Sequence, residues 1–473
     1  MKKIIFPALA FLLSVFDLSA QSIQPLPPIP TRQQIQWQEM EFYIFVHFGP
    51  NTFTDKEWGH GDEPEDIFNP SDLDCRQWAR IAKQAGAKGI IITAKHHDGF
   101  CLWPSKYSKH TVRESKWKNG KGDVLKDLSQ ACREYGLKFG VYISPWDRNH
   151  PQYGTPGYND VFVNMMKEIF TRYGPIWELW WDGANGEGPN DKKQEYDWKK
   201  FETTVREISS STVVFSDIGP DIRWVGNEKG IAGTTNWNLL DTAGFTRGNG
   251  APATDTLNKG NMHGKNWIPA ECDVSIRPGW FYHQEEDSKV KTPEQLFDLY
   301  LKSVGHGANL LLNVPPDRRG QIHPNDSTSL VDFKILRDAN FKNNLAKNTS
   351  VEITPKKFPI GNRVTDESAK TNFLFTQYKD HGISFTFKEA IEINTIVLQE
   401  AIELGQRISA FEITLENNNT FSTIKGTTVG KKRIVPFPTQ KVKSIVIRIT
   451  DSKDEPVICE VAVYKIDDRL VGK

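Results

Sequence analysis

From about residue 41 to residue 345, near-continuous apolar runs alternate with amphipathic stretches that carry helix caps, and this alternation constrains the fold more than any other feature of the chain. The apolar runs are Phe42–His47, Gly89–Ala94, Leu137–Ser144, Ile176–Asp182, Val213–Asp217, Ile231–Thr235, Cys272–Ile276 and Ala308–Val314. Runs with so little polar interruption suit parallel strands covered on both faces, because a sheet with one wet face would alternate. Helix signals lie between them. Ser71 or Asp72 opens a helix with Trp78, Ile81, Ala82 and Ala85 inward, and Gly86 closes it. Asp123 opens the next, which ends at Gly136, and Thr292-Pro293-Glu294-Gln295 has the form of a capping box with proline at the first helical position. Strand followed by helix, repeated about eight times, predicts an α/β chain with a (β/α)8-like barrel. After Asp217 the strands are harder to count, which is compatible with a distorted barrel short of a helix or two.

After about Asn348 the texture changes. Ile383–Phe387, Ile393–Leu398, Ala410–Leu415, Ser444–Ile449 and Glu460–Tyr464 are short runs, several of them alternating, separated by Gly, Asn, Lys and Pro. They predict a C-terminal β-sandwich. At the other end, Lys2-Lys3, an apolar run from Ile4 to Phe16 and Leu18-Ser19-Ala20 form the three regions of a secretory signal. The expected organisation is a signal peptide over 1–20, a barrel domain over 21–345 and a sandwich over 346–473, in a periplasmic or secreted protein. No later segment approaches the roughly eighteen apolar residues of a membrane span. The 59 Lys+Arg balance 59 Asp+Glu, so the basic excess of a general nucleic-acid binder is absent. The five cysteines are odd in number, widely spaced and without a CxxC pair, which indicates neither a disulfide framework nor a zinc site.

A barrel of this kind carries its active site at the carboxyl ends of its strands. Following each run to its end gives His47, then His96-His97-Asp98, then Tyr142, then Trp180 and Asp182. Several strands delivering polar or aromatic groups to one rim predict a polar pocket with aromatic walls. Metal-assisted hydrolysis would use His47, His96, His97 and Asp182 as ligands. Adjacent histidines on an extended segment point to opposite sides, which disfavours joint ligation, so no metal is expected. Glycoside hydrolysis needs two carboxylates and no cofactor. Asp182 suits the nucleophile, since Trp177-Glu178-Leu179-Trp180-Trp181 would desolvate its surroundings and Gly183 leaves room beside it. Its partner would come from a later loop, as Glu228, Glu271 or Asp273, and spacing alone does not choose among these.

The blocks Phe45–Phe53, Thr93–Ser105, Gly136–Asp147 and Trp180-Trp181-Asp182-Gly183 resemble the α-L-fucosidases of glycoside hydrolase family 29, over residues about 35 to 345. The resemblance implies a retaining enzyme with a barrel and a C-terminal sandwich, acting on a fucosylated oligosaccharide or glycoprotein glycan. It puts the nucleophile on Asp182 and the fucose-binding groups on His47, Glu57, Trp58, His96, His97, Tyr142 and Trp180, with Trp280 as a weaker match. The run from Asp221 to Glu228 is similar to the branch that prefers α1,3- and α1,4-linked fucose on branched, Lewis-type glycans, and in that branch the acid/base is this Glu228. Glu271 stays as the alternative acid/base. The rival readings are a broad fucosidase acting on simple or α1,2-linked fucosides and an inactive glycan-binding protein on the same fold. The sandwich would either bind carbohydrate or brace the barrel.

Overall fold

The computed structural model describes residues 23–247 and 250–471; the signal sequence expected over 1–20 lies outside them. Eight parallel strands close into a barrel: β1 (Phe42–Val46), β2 (Gly89–Lys95), β3 (Lys138–Ile143), β4 (Glu178–Trp180), β5 (Val213–Ser216), β6 (Ile222–Trp224), β7 (Ala270–Ser275) and β8 (Asn309–Asn313). Each pairs with its predecessor in the chain, and β8 closes on β1 with Phe42 opposite Leu310 and Phe45 opposite Asn313. Alternation sorts the strand residues. Phe42, Ile44 and Val46 face the helix layer, whereas Tyr43 and Phe45 join Ile91, Tyr142, Trp180, Phe215 and Leu311 in an aromatic-rich interior. Trp37, from helix α1 (Arg32–Gln38), enters that interior cluster.

The helix layer follows the caps with one shift. Helix α2 (Cys75–Gln84) starts on Asp74, not on Ser71 or Asp72, because the Asp74 carboxylate accepts from the amides of Arg76 (2.9 Å) and Gln77 (3.1 Å). Asp123 and Gly136 bound α3 (Val124–Tyr135), and Thr292 forms the full capping box of the helix Pro293–Lys302. The sixth strand is not Ile231–Thr235 but Ile222–Trp224. It is short and centred on Arg223, whose buried guanidinium is satisfied by Leu257 O (2.8 Å), Trp237 O (3.0 Å) and Asn236 Oδ1 (3.0 Å). Ala232 instead packs with Val225, Ala270, Cys272 and Ala308 as irregular chain. Among the described residues no helix connects β5 to β6, and the only helix between β6 and β7 is Thr254–Lys259.

The sandwich covers part of that thin stretch. The Asn236 amide donates to Thr428 Oγ1 (2.8 Å), the Asn238 amide to Gln406 Oε1 (2.7 Å), and Gln406 Nε2 to Asn236 O (2.9 Å). Two long strands build the sandwich, β10 (Gly382–Glu400) and β12 (Arg433–Ser452), and both change partners along their length. The first part of β10 pairs with β9 (Val351–Thr354) and the end of β12, which also pairs with β11 (Ile408–Asn417). After register shifts, the second part of β10 pairs with the start of β12 and with β13 (Val457–Tyr464). One continuous antiparallel sheet thus folds into two layers around Ile383, Phe385, Ile396, Ile413, Ile445 and Val461.

Candidate active site

At the carboxyl ends of the barrel strands, a pocket of about 190 Å³ is lined by Phe45, His47, Glu57, Trp58, His96, His97, Tyr142, Trp180, Asp182, Ala184, Glu228, Asp273 and Trp280. Every site residue expected from the sequence is there except Glu271 and Asp98; Asp98 turns away from the pocket and is buried, its carboxylate accepting from the Phe100 amide at 2.7 Å. The strands deliver the polar rim because their buried runs stop at one level, where polar side chains can meet a ligand.

Asp182 follows β4. Its Oδ2 accepts from the Tyr142 hydroxyl at 3.0 Å and lies 3.8 Å from His97 Nε2, and its Oδ1 accepts from the Ala184 amide at 2.7 Å. Tyr142 is fixed by stacking on Trp180, with centroids 5.3 Å apart, and Trp180 lies flat on Phe215 at 4.0 Å. His96 and His97 do not diverge as an extended pair would. β2 ends at Lys95 and the chain turns, with the Gly99 amide donating to His96 O, so both rings reach the pocket with centroids 4.2 Å apart.

The imidazoles are neutral. Burial drives the His47 pKa down to about 3, although a hydrogen bond from Nδ1 to Asn313 Oδ1 (2.8 Å) opposes it. Burial takes His97 to about 4 against the pull of Asp182, and it holds His96 well below the usual range, with His97 and His47 adding to the effect. Asn313 Nδ2 donates to Trp280 O (2.8 Å), so its Oδ1 is the acceptor and His47 carries its proton on Nδ1. The Ser144 hydroxyl donates to Trp146 O (3.0 Å) and accepts from His97 Nδ1 (2.8 Å). Nε2 of His47 and of His97 is then a hydrogen-bond acceptor. His96 Nδ1 is buried without a partner.

Glu228 sits on the loop after β6, between Gly226 (φ +84°) and Gly230 (φ +71°). A Cβ on Gly226 would lie 2.9 Å from Thr254 O, so glycine is what lets this loop turn against Thr254–Lys259. The carboxylate is exposed at the pocket and accepts from Trp280 Nε1 at 3.3 Å. Glu57 holds the same wall: it accepts from the amides of Trp280 (2.8 Å) and Phe281 (3.2 Å) and pairs with His283 at 2.7 Å. Trp58 is 53% exposed beside the pocket, its edge against His97 and Trp146.

Two carboxylates were open alternatives to Glu228. Asp273 lines the pocket, accepts from Trp224 Nε1 (2.9 Å), and has its carboxyl raised well above the usual range by burial and then by Glu228 and Glu271. Glu271 is not in the pocket. It lies fully buried, with Oε1 taken by Trp180 Nε1 (2.8 Å) and Oε2 by the Tyr43 hydroxyl, because its place on β7 is inside the barrel. Asn313 and Ser144, which orient His47 and His97, went unread in the sequence although both stand at strand ends.

The lining combines carboxylates, neutral imidazoles and tryptophan faces, and none of its side chains is a lysine or arginine. Such a site repels anions and suits a neutral, hydroxyl-rich ring with one apolar face. Comparison with known proteins gives the family. The family model for alpha-L-fucosidases matches residues 24–334. Alpha-L-fucosidase 1 of Arabidopsis thaliana is 39% identical over 453 residues, 93% of this chain and 88% of its own length. The crystal structure of a glycoside hydrolase 29 family member from an unknown rumen bacterium matches with a TM-score of 0.84 at 40% identity, over 94% of this chain and 78% of its own. A family 29 fucosidase of Ruminococcus gnavus, solved in complex with fucose, matches with a TM-score of 0.86 at 30% identity, over 96% of this chain and 98% of its own.

Proposed function

This chain belongs to the alpha-L-fucosidases, glycoside hydrolase family 29, and we propose that it is an exported, retaining exo-enzyme that removes α1,3- and α1,4-linked fucose from branched, Lewis-type glycans. Asp182 attacks the anomeric carbon while Glu228 protonates the departing glycosidic oxygen. Water, deprotonated by Glu228, then releases fucose with its configuration retained. The Nε2 atoms of His47 and His97 accept hydrogen bonds from sugar hydroxyls, and the tryptophan faces meet the apolar side of the ring and its methyl group. A site that hydrogen-bonds hydroxyls rejects sugars lacking them, because its own buried polar groups would be left unpaired.

The observation that carries this reading is the Tyr142–Asp182–His97 contact at the base of a pocket in which a second, exposed carboxylate, Glu228, is held by Trp280. The linkage preference is supported by the resemblance of Asp221–Glu228 to the linkage-specific branch. Export is supported by the N-terminal pattern, and among the described residues no helix is long and apolar enough to cross a membrane; a secreted product whose N-terminus precedes Gln21 would count against the signal. The decisive experiment compares wild type with Asp182→Ala on an aryl α-L-fucoside and on a Lewis-type trisaccharide. The expected outcome is a fall in kcat of about 10³-fold or more in the variant, and wild-type preference for the branched sugar. Substantial hydrolysis by Asp182→Ala would overturn the nucleophile assignment, and equal or faster cleavage of the aryl fucoside would overturn the linkage preference.

A further inference from the structure

Beneath the pocket, inside the barrel, two carboxyl side chains with no solvent exposure face each other within hydrogen-bonding reach: Glu178 on β4 and Glu271 on β7. They are unequally served. Glu271 receives Trp180 Nε1 on one oxygen and the Tyr43 hydroxyl on the other. Glu178 receives a single hydrogen bond, from Trp37 Nε1 at 3.0 Å, and its Oε1 is buried with no donor. The groups packed against the pair are neutral or acidic: Trp37 from α1, Tyr43 from β1, Trp180 from β4, and Asp221 on the β5–β6 turn, which spends its charge on Arg206 at 2.6 Å.

Two bare carboxylates cannot both stay ionised at this distance in a dry interior without a cation. One proton between them removes the repulsion and also supplies the donor that Glu178 Oε1 lacks. Burial pushes both groups up, but the Trp180 indole and the Tyr43 phenol favour the anion on Glu271, which leaves Glu178 as the better seat for one proton. The result is a directional chain. With a proton on it, Glu178 would donate to Glu271, which holds the Trp180 indole from below. Trp180 stacks between Phe215 and Tyr142, and the Tyr142 hydroxyl reaches Asp182.

We propose that Glu178 and Glu271 share a single proton beneath the sugar site and that this pair is the positioning device that fixes Trp180 and, through Tyr142, the orientation of Asp182. The kinetic part of this inference rests on Asp182 as the nucleophile; the protonation part does not.

The test has two arms, both on the full chain. In the first, infrared difference spectra at neutral pH compare wild type with Glu178→Gln. The wild type shows the carbonyl band of a buried, protonated carboxylic acid and the variant lacks it; no such band in the wild type, or its persistence in the variant, overturns the shared proton. In the second, kinetics separate positioning from bulk stability. Glu178→Gln keeps a donor to Glu271 and retains kcat within about twofold. The double variant E178M/E271L replaces the pair by apolar volume, which folded proteins tolerate, but frees the indole; its kcat falls about tenfold or more while KM changes less. Wild-type kcat in the double variant overturns the positioning role, and so does an equal loss in Glu178→Gln. If the double variant does not fold, Trp180→Phe takes its place, since it keeps the stack but removes the indole donor held by Glu271; wild-type kcat there overturns the positioning role. Full activity in Asp182→Ala would sink the nucleophile assignment yet leave the infrared band in place, so the two failures are distinguishable.

Discussion

Asp147→Asn breaks an ion pair whose cost can be worked out from its surroundings. Lys95 Nζ lies 3.2 Å from Asp147 Oδ2, and the two side chains are 0% and 1% exposed. The carboxylate also accepts from the amides of Asn149 (3.0 Å) and His150 (2.8 Å) and from the Tyr158 hydroxyl (3.1 Å), while Lys95 donates to Trp146 O (3.1 Å). In the variant, Oδ1 can keep both amides, but an amide nitrogen then replaces Oδ2 and faces a buried ammonium. Removing one partner of a buried pair costs about 3–5 kcal/mol, because the other charge is left uncompensated. At the roughly 2 °C per kcal/mol of a large domain, the melting temperature should fall by about 6–10 °C. The pH dependence has a definite sign. Burial alone would raise the Asp147 carboxyl, but Lys95, His150 and the two amides outweigh it and hold it below its usual value. Its contribution is therefore complete above the unfolded value of about 4 and is lost as pH falls through the lower, folded one. Scanning calorimetry of wild type and Asp147→Asn from neutral pH downward should show a constant gap that narrows only below about pH 4. A gap under about 2 °C at neutral pH would refute the reasoning. The pair joins β2 to the segment after β3, and Trp146 on that segment packs on His97 (4.8 Å), so kcat/KM should fall as well.

Other outcomes follow from the same geometry. Glu228→Ala should slow release from oligosaccharides by about 10²-fold or more while largely sparing an aryl fucoside whose leaving group needs no proton; azide should restore turnover and give a fucosyl azide of retained configuration, and equal loss on both substrates would move the acid/base role elsewhere. The neutral imidazoles make the fold acid-sensitive. His47 and His97 titrate near 3 and 4 when folded, against 6.5 for an unperturbed imidazole, so the unfolded chain binds more protons in between and stability declines as pH drops from about 6.5 to about 3, with the His97 share complete by about 4. His97→Gln should flatten that decline in a melting-temperature series, and a slope as steep as the wild type would mean that His97 is not held neutral.

What the sequence made legible depended on how each element is covered. β1, β2 and β8 announced themselves because helices and barrel interior cover both of their faces and force unbroken apolar runs. β6 did not, because three residues centred on Arg223 carry no hydrophobic signal, and the apolar stretch at Ile231 drew the assignment instead. The rim followed from a simple rule, that a polar residue closing a buried run faces a ligand, and His47, His96, His97, Tyr142 and Asp182 all obey it. Asn313, which holds His47 from behind without lining the pocket, stood inside the run Ala308–Val314. Glu57, Trp58 and Trp280 lie on connections rather than strand ends, where no periodicity applies, so only the family resemblance pointed to them.

The ambiguity between Glu271 and Asp273 has a geometric origin. The two-residue repeat of a strand places both side chains toward the barrel axis, and it says nothing of their height along that axis. Height is set by where neighbouring strands stop. β6 ends at Trp224, level with Glu271, so Asp273 stands one inward step above that end and the Trp224 indole closes over it. Glu271 lies one step lower, enclosed by Trp180, Tyr43 and Glu178. A shift of two residues thus separates a carboxyl that lines the sugar pocket from one that supports its floor. Because the stopping points belong to β4 and β6, no local pattern around residues 271–273 could have told the two apart.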